Sequence, residues 1–251
     1  MNTIVLSRAR IYSGKLLLVN ADCPLRQAAA GGQIPADART PAVLLQRDAA
    51  HVLRLIFEKI SAGDAIVPVS GYRSAEEQTA IYADSMQRNG RDFTRKFVAL
   101  PYHSEHQTGL AVDLGLRQEK LDFICPDFPA TGICGTFRRL APQYGFIERY
   151  PQGKERLTGI AYEPWHFRYV GYPHSEIMRE NGLVLEEYMA FVKQYPRGGR
   201  HLLRCKAGRR IEIFYAAADE TEIALPENAA YQISGNNTDG FIVTLWRRDN
   251  A

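Results

Sequence analysis

Ser104-Glu105-His106-Gln107-Thr108-Gly109-Leu110-Ala111-Val112-Asp113-Leu114-Gly115-Leu116 is the stretch on which the fold turns. From Leu110 on, it reads as a strand. Leu110, Val112 and Leu114 point to one face, and Gly109, Ala111, Asp113 and Gly115 point to the other. The second face carries only small residues and one carboxylate. His106 stands at the entry to the strand and Asp113 within it, so both can face a single metal ion. The small neighbours leave room for it.

Working outward, Ala65–Val69 is a short apolar run read as a strand, with Pro68 arguing for an edge position. It leads into the corner Ser70-Gly71-Tyr72-Arg73. Ser74 and Glu77 then form a capping-box pattern opening a helix to about Arg88, stopped at Asn89-Gly90. A helix over 41–61 is expected from Leu45, Ala49, Val52, Leu53, Ile56 and Ile60 at helical spacing. Leu16–Asn20 and Trp165–Val170 read as strands. Residues 136–144 read as a short helix closed by Gly145, and helices near 175–181 and 184–194 follow. Pro196–Arg200 looks like a linker. Beyond it, Arg210–Tyr215 and Phe241–Trp246 read as strands, with turn signals between them. The expected division is 1–196 as a catalytic domain and 200–251 as a small β-rich appendage.

The chain has 251 residues, 45% hydrophobic and 24% charged, with a formal net charge of +3. That suits one catalytic domain plus a small extension. No segment approaches the ~20 apolar residues of a membrane span, and the start does not read as a signal peptide. The expectation is a cytoplasmic protein with no membrane partner. No basic run is interleaved with aromatics, so no nucleic-acid partner is expected. Cys23, Cys125, Cys134 and Cys205 contain no C-x-x-C pair. Cys125 and Cys134 flank a Pro- and Gly-rich loop and are expected to remain thiols.

His166 ends Glu163-Pro164-Trp165-His166. Two imidazoles and one carboxylate make a catalytic zinc set that keeps a position for water. Glu163 precedes a proline and so avoids the α region. An unligated carboxylate beside the metal is what a general base requires. The plainer readings compete: a His–Asp pair is usually a structural hydrogen bond, and Arg73 before a helix is more often an ion-pair partner. His51, His103, His174 and His201 keep structural readings.

Ser70-Gly71-Tyr72-Arg73-Ser74, Ser104-x-His106-x-x-Gly109-x-Ala111-x-Asp113 and Glu163-x-x-His166, in that order and spacing, resemble the zinc D-alanyl-D-alanine peptidases. That family includes the D,D-dipeptidases and D,D-carboxypeptidases of vancomycin resistance, and the likeness covers roughly 1–195. The closest resemblance is to the soluble bifunctional branch. It implies an α+β fold, with a central antiparallel sheet flanked by helices and zinc at its face. It implies one Zn2+ per chain on His106, Asp113 and His166, with Glu163 as the catalytic base and Arg73 stabilising the oxyanion. It also implies Ser104 and Gln78 as substrate-binding residues and a small peptide ending in D-Ala-D-Ala as substrate. Two other readings stand beside it: an endolysin-like peptidoglycan endopeptidase whose 200–251 region binds cell wall, and a non-catalytic binding protein on the same fold. Oligomeric state is left open.

Overall fold

The computed structural model of the chain describes residues 2–248 apart from 28, 30, 207 and 228. Its elements run β1 (Asn2–Val5), β2 (Ile34–Pro35), β3 (Leu44–Leu45), α1 (Arg47–Lys59), β4 (Ile66–Ser70), α2 (Ala75–Arg88), α3 (Gly90–Phe97), β5 (Ala111–Leu116), α4 (Gly132–Leu140), β6 (Phe146–Tyr150), α5 (Glu155–Thr158), β7 (Glu163–Tyr169), α6 (His174–Asn181) and α7 (Leu185–Lys193), then β8 (Leu202–Lys206), β9 (Arg209–Ala217), β10 (Glu222–Leu225), β11 (Ala230–Gly235) and β12 (Gly240–Arg248). The class is α+β with antiparallel sheets, as expected.

The chain divides into two compact units. One is Val19–Val184; the other joins Met1–Leu18 to Leu185–Ala251. This division runs elsewhere than at 196–200, because α7 and the first residues group with the C-terminal strands. In the larger unit the sheet order is β4-β5-β7-β6, which puts Pro68 on an edge strand. Leu110, Val112 and Leu114 turn into a core with Leu53, Ile56, Phe137, Phe146 and Phe167. The capping box forms in full: Ser74 Oγ accepts from the Glu77 amide, and the Glu77 carboxylate accepts from the Ser74 amide.

Several local expectations are corrected. The helix expected from 41 begins at Arg47, because Leu44–Leu45 pairs with Ile34–Pro35 and the Leu44 carbonyl takes the Tyr72 amide. Asn89 does cap α2, but Gly90 at once opens α3, tied back by a buried Ser85–Thr94 hydroxyl pair of 2.8 Å. Leu16–Val19 is buried without being a strand. In the smaller unit the sheet order is β11-β12-β9-β8, and β1 pairs with β10. Leu6, Ile11, Ile223, Leu225, Phe214, Val243 and Leu245 fill its core. The expected linker is docked: Arg197 donates its amide to the Tyr215 carbonyl, and Tyr215 donates to that of Tyr195. Cys125 and Cys134 are not joined by a disulfide. Among the described residues, no helix is long and apolar enough to cross a membrane.

Candidate metal centre and catalytic cleft

The register of the sheet assembles the site. Asp113 on β5 lies opposite Ser70 on β4 and opposite His166 on β7. Paired residues share a face, so three polar side chains form one row across three strands. A short 3-10 turn, Glu105–Thr108, ends at Gly109 with φ +69° and brings His106 over that row. His106 Nε2 lies 3.1 Å from Asp113 Oδ2, and His166 Nδ1 lies 2.9 Å from Asp113 Oδ1. One donor atom from each of the three falls within 4.8 Å of the others.

These residues fit a zinc ion. All three are buried, and Asp113 Oδ1 faces His166 Nδ1 at 2.9 Å but accepts no well-aligned hydrogen bond among the described residues. A buried carboxylate oxygen without a partner is costly, and a cation at the centre of the cluster removes that cost. His106 has its orientation fixed, with Nδ1 at 2.7 Å from the Gly71 carbonyl, so Nε2 is the nitrogen turned to the cluster. Gly71 is required there, since a Cβ on it would lie 2.3 Å from the Leu44 carbonyl oxygen. Gly115 has a different reason from the one expected: it is crowded by Leu121, Val69 and Pro126, so its smallness admits the following loop.

The other expected residues lie around the same cleft. Glu163 opens β7 opposite Tyr150, 5% exposed, with Oε2 3.7 Å from His166 Nδ1. Burial pushes its carboxyl up to about 8, with the Asp113 charge adding to the rise and His166 and Arg73 opposing it. Arg73 donates from Nη2 to Asp113 Oδ2 at 3.1 Å and from Nε to Ser70 Oγ at 2.9 Å. The corner thus aims a permanent cation into the cluster. Gln78 is 1% exposed; it accepts from Arg73 at 3.4 Å and donates to the Ala99 carbonyl at 2.8 Å. That geometry orients Arg73. Ser104 is buried beside His106 and lines the cleft, which Phe97, Phe123 and Trp165 wall. His51, His103, His174 and His201 do not enter the cluster; His103, for example, meets the Asn20 carbonyl at 2.7 Å.

Three residues around the site were not anticipated: Glu105, Arg149 and Arg168. Arg168 follows His166 by two positions on β7 and therefore shares its face. A charged residue alternating with a metal-ligand candidate inside a buried strand was the available signal.

Comparison with known proteins agrees with this geometry. The D-alanyl-D-alanine carboxypeptidase family (VanY) matches residues 42–172. The bifunctional D-Ala-D-Ala dipeptidase and carboxypeptidase VanXYC of Enterococcus gallinarum is 48% identical over 130 residues, covering 51% of this chain and 68% of that protein. The crystal structure of the vancomycin-resistance D,D-dipeptidase VanXYg, in complex with a D-Ala-D-Ala phosphinate analogue, is 61% identical. It superposes with a TM-score of 0.96 over 98% of this chain and 99% of that one. A variant of the D,D-pentapeptidase VanY from the VanB-type cassette, in complex with Zn(II), is 27% identical with a TM-score of 0.57, covering 70% of this chain and 98% of that one. The paired strands carrying His106, Asp113 and His166, the buried carboxylate beside them and the match over 42–172 agree: the chain belongs to the VanY family of D-alanyl-D-alanine carboxypeptidases.

Proposed function

We propose that this chain is a zinc D,D-dipeptidase and D,D-carboxypeptidase, cleaving the D-Ala-D-Ala bond in the free dipeptide and in peptidoglycan precursors. The observation that carries the reading is the buried row of Asp113 and His166 with His106 above it and Glu163 alongside. The 61% identity to a D,D-dipeptidase over nearly the whole chain gives it its substrate class. Because that match spans the 200–251 region too, an endolysin with a separate wall-binding module is not favoured.

His106, Asp113 and His166 would hold the zinc ion, one per chain in this reading. When bound, zinc acidifies a water and polarises the scissile carbonyl. Glu163, turned into the cleft and unused by any ligand bond, takes the proton from the attacking water and delivers it to the departing amine. Arg73 faces the negative charge that develops on the carbonyl oxygen; its guanidinium stays protonated, and burial strengthens its field. In this reading Gln78 and Ser104, which line the cleft, receive the peptide's terminal carboxylate. Loss of D-Ala-D-Ala ends from precursors gives the activity a role in vancomycin resistance.

The test is D-Ala release from D-Ala-D-Ala and from a pentapeptide ending in it, each beside its C-terminal amide. Release from the free acids and little from the amides is expected. Brisk cleavage of the amides would refute the exopeptidase reading.

A further inference from the structure

Behind His166, on the side away from Asp113, lies a cluster of three charges with no access to solvent. Glu105 Oε1 accepts from Arg149 Nε at 2.8 Å and stands 2.9 Å from Arg168 Nη1. All three side chains are 0% exposed. Burying ions costs several kcal/mol each even when they are paired. A trio of apolar side chains would fill the same space more cheaply, and here two cations surround one anion. The arrangement therefore calls for a use.

The use is visible at the second carboxylate oxygen. Glu105 Oε2 lies 3.7 Å from His166 Nε2, and neither atom has a hydrogen-bond partner among the described residues. The other ring nitrogen of His166, Nδ1, faces Asp113. A neutral imidazole carries one N–H and one lone pair. A proton on Nε2, drawn to Glu105, leaves the Nδ1 lone pair pointing into the cluster. His106 solves the same problem the other way round, with Nδ1 on the Gly71 carbonyl and Nε2 inward. The two histidines present opposite nitrogens, so each needs its own anchor. Tyr150, its ring centroid 4.8 Å from that of His166 at an interplanar angle of 45° and beneath Arg149, packs against the imidazole.

We propose that Glu105, locked by Arg149 and Arg168, is a positioning residue that fixes His166 as the Nε2–H tautomer and so presents Nδ1 to the metal. This rests on the zinc reading above. The two arginines keep Glu105 ionised and take up one of its oxygens, which leaves the other for the imidazole. A carboxylate behind a ligating histidine also raises the basicity of that ligand.

Three variants decide it: Glu105→Gln, Arg149→Met and the two combined. The double variant keeps the local formal charge of the native cluster but lacks the carboxylate behind His166. Zinc affinity is read by chelator competition, and the ring nitrogen that His166 keeps protonated by 15N ring shifts in the zinc-loaded protein. Glu105→Gln should weaken zinc by about 10–100-fold. Arg149→Met should stay within about threefold of native and keep the proton on Nε2. The double variant should bind zinc as weakly as Glu105→Gln; since it leaves no added buried charge, it carries the test if the single variant fails to fold. Native-like affinity in the double variant would mean that charge alone matters and would overturn the proposal. So would a zinc-loaded native protein whose His166 carries its proton on Nδ1. A native protein that takes up no zinc would refute the reading of the site itself, whereas native zinc uptake with an unweakened double variant would refute only the part played by Glu105.

Discussion

Replacing Glu163 by Gln should remove most of the turnover while leaving zinc in place. The amide matches the carboxylate in volume, so the strand and the Tyr150 pairing survive. What is lost is the proton acceptor. Glu163 is 5% exposed and lies 3.7 Å from His166 Nδ1, so no bulk water stands in for it. Positioned general acid–base groups contribute roughly 10²–10⁴ in rate, which at about 1.36 kcal/mol per decade is ~2.7–5.5 kcal/mol of barrier. The pH profile adds an independent mark. Burial lifts the Glu163 carboxyl to about 8, and a cation held by the adjacent cluster pulls it back down. The base form must exist for reaction, so native kcat should rise with pH through the carboxyl's titration. The small residual rate of the variant should lack that limb. The assay is initial-rate D-Ala release, run beside the metal content of the same preparation. A variant within about threefold of native kcat would refute the role. One that loses its zinc would show that Glu163 is a ligand.

Arg73→Ala should lower kcat by about 10²–10³, the cost of removing an oxyanion donor, while the protein remains folded in a thermal scan; an unchanged kcat would remove Arg73 from the chemistry. Gly71→Ala forces a methyl against the Leu44 carbonyl oxygen, at 2.3 Å, and displaces the carbonyl that holds His106. It should cost about 2–3 kcal/mol and lower Tm by roughly 5–10 °C; a native Tm would contradict the close approach. Asp239 carries the stability prediction. Burial alone would raise its carboxyl, but Lys193 at 2.5 Å, Asn236 at 2.8 Å and Tyr215 at 3.0 Å hold it down at about 2. Folded below unfolded means a contribution present above about pH 4 that disappears as pH falls through about 2. Because the pair is solvent-exposed, ~1 kcal/mol remains after screening. Asp239→Asn should therefore unfold earlier than native at pH 7 and together with it near pH 2; a pH-independent gap would contradict this.

The strand carrying Asp113 was legible because Leu110, Val112 and Leu114 alternate with small residues, and that period survives into the core. The α2 start was legible because Ser74 and Glu77 cap locally, without help from distant residues. α3 was not, because Gly90 reads as a stop, while the buried Ser85–Thr94 contact that ties the restarted helix to α2 has no local signature. The grouping of 1–18 with the C-terminal strands depends on β1 meeting β10, a pairing with no local signature. His106, Asp113 and His166 could be named from spacing and resemblance, but the nitrogen each histidine offers could not. For His106 that choice is made by the Gly71 carbonyl, and for His166 we assign it to Glu105, whose partners Arg149 and Arg168 come from β6 and from β7 itself.

The most direct measurement is turnover of D-Ala-D-Ala during removal and return of zinc. Exhaustive chelation should abolish D-Ala release, and one equivalent of Zn2+ per chain should restore it, with the His106, Asp113 and His166 alanine variants failing to recover at that stoichiometry. Full activity in chelated protein with no measurable zinc would contradict the account.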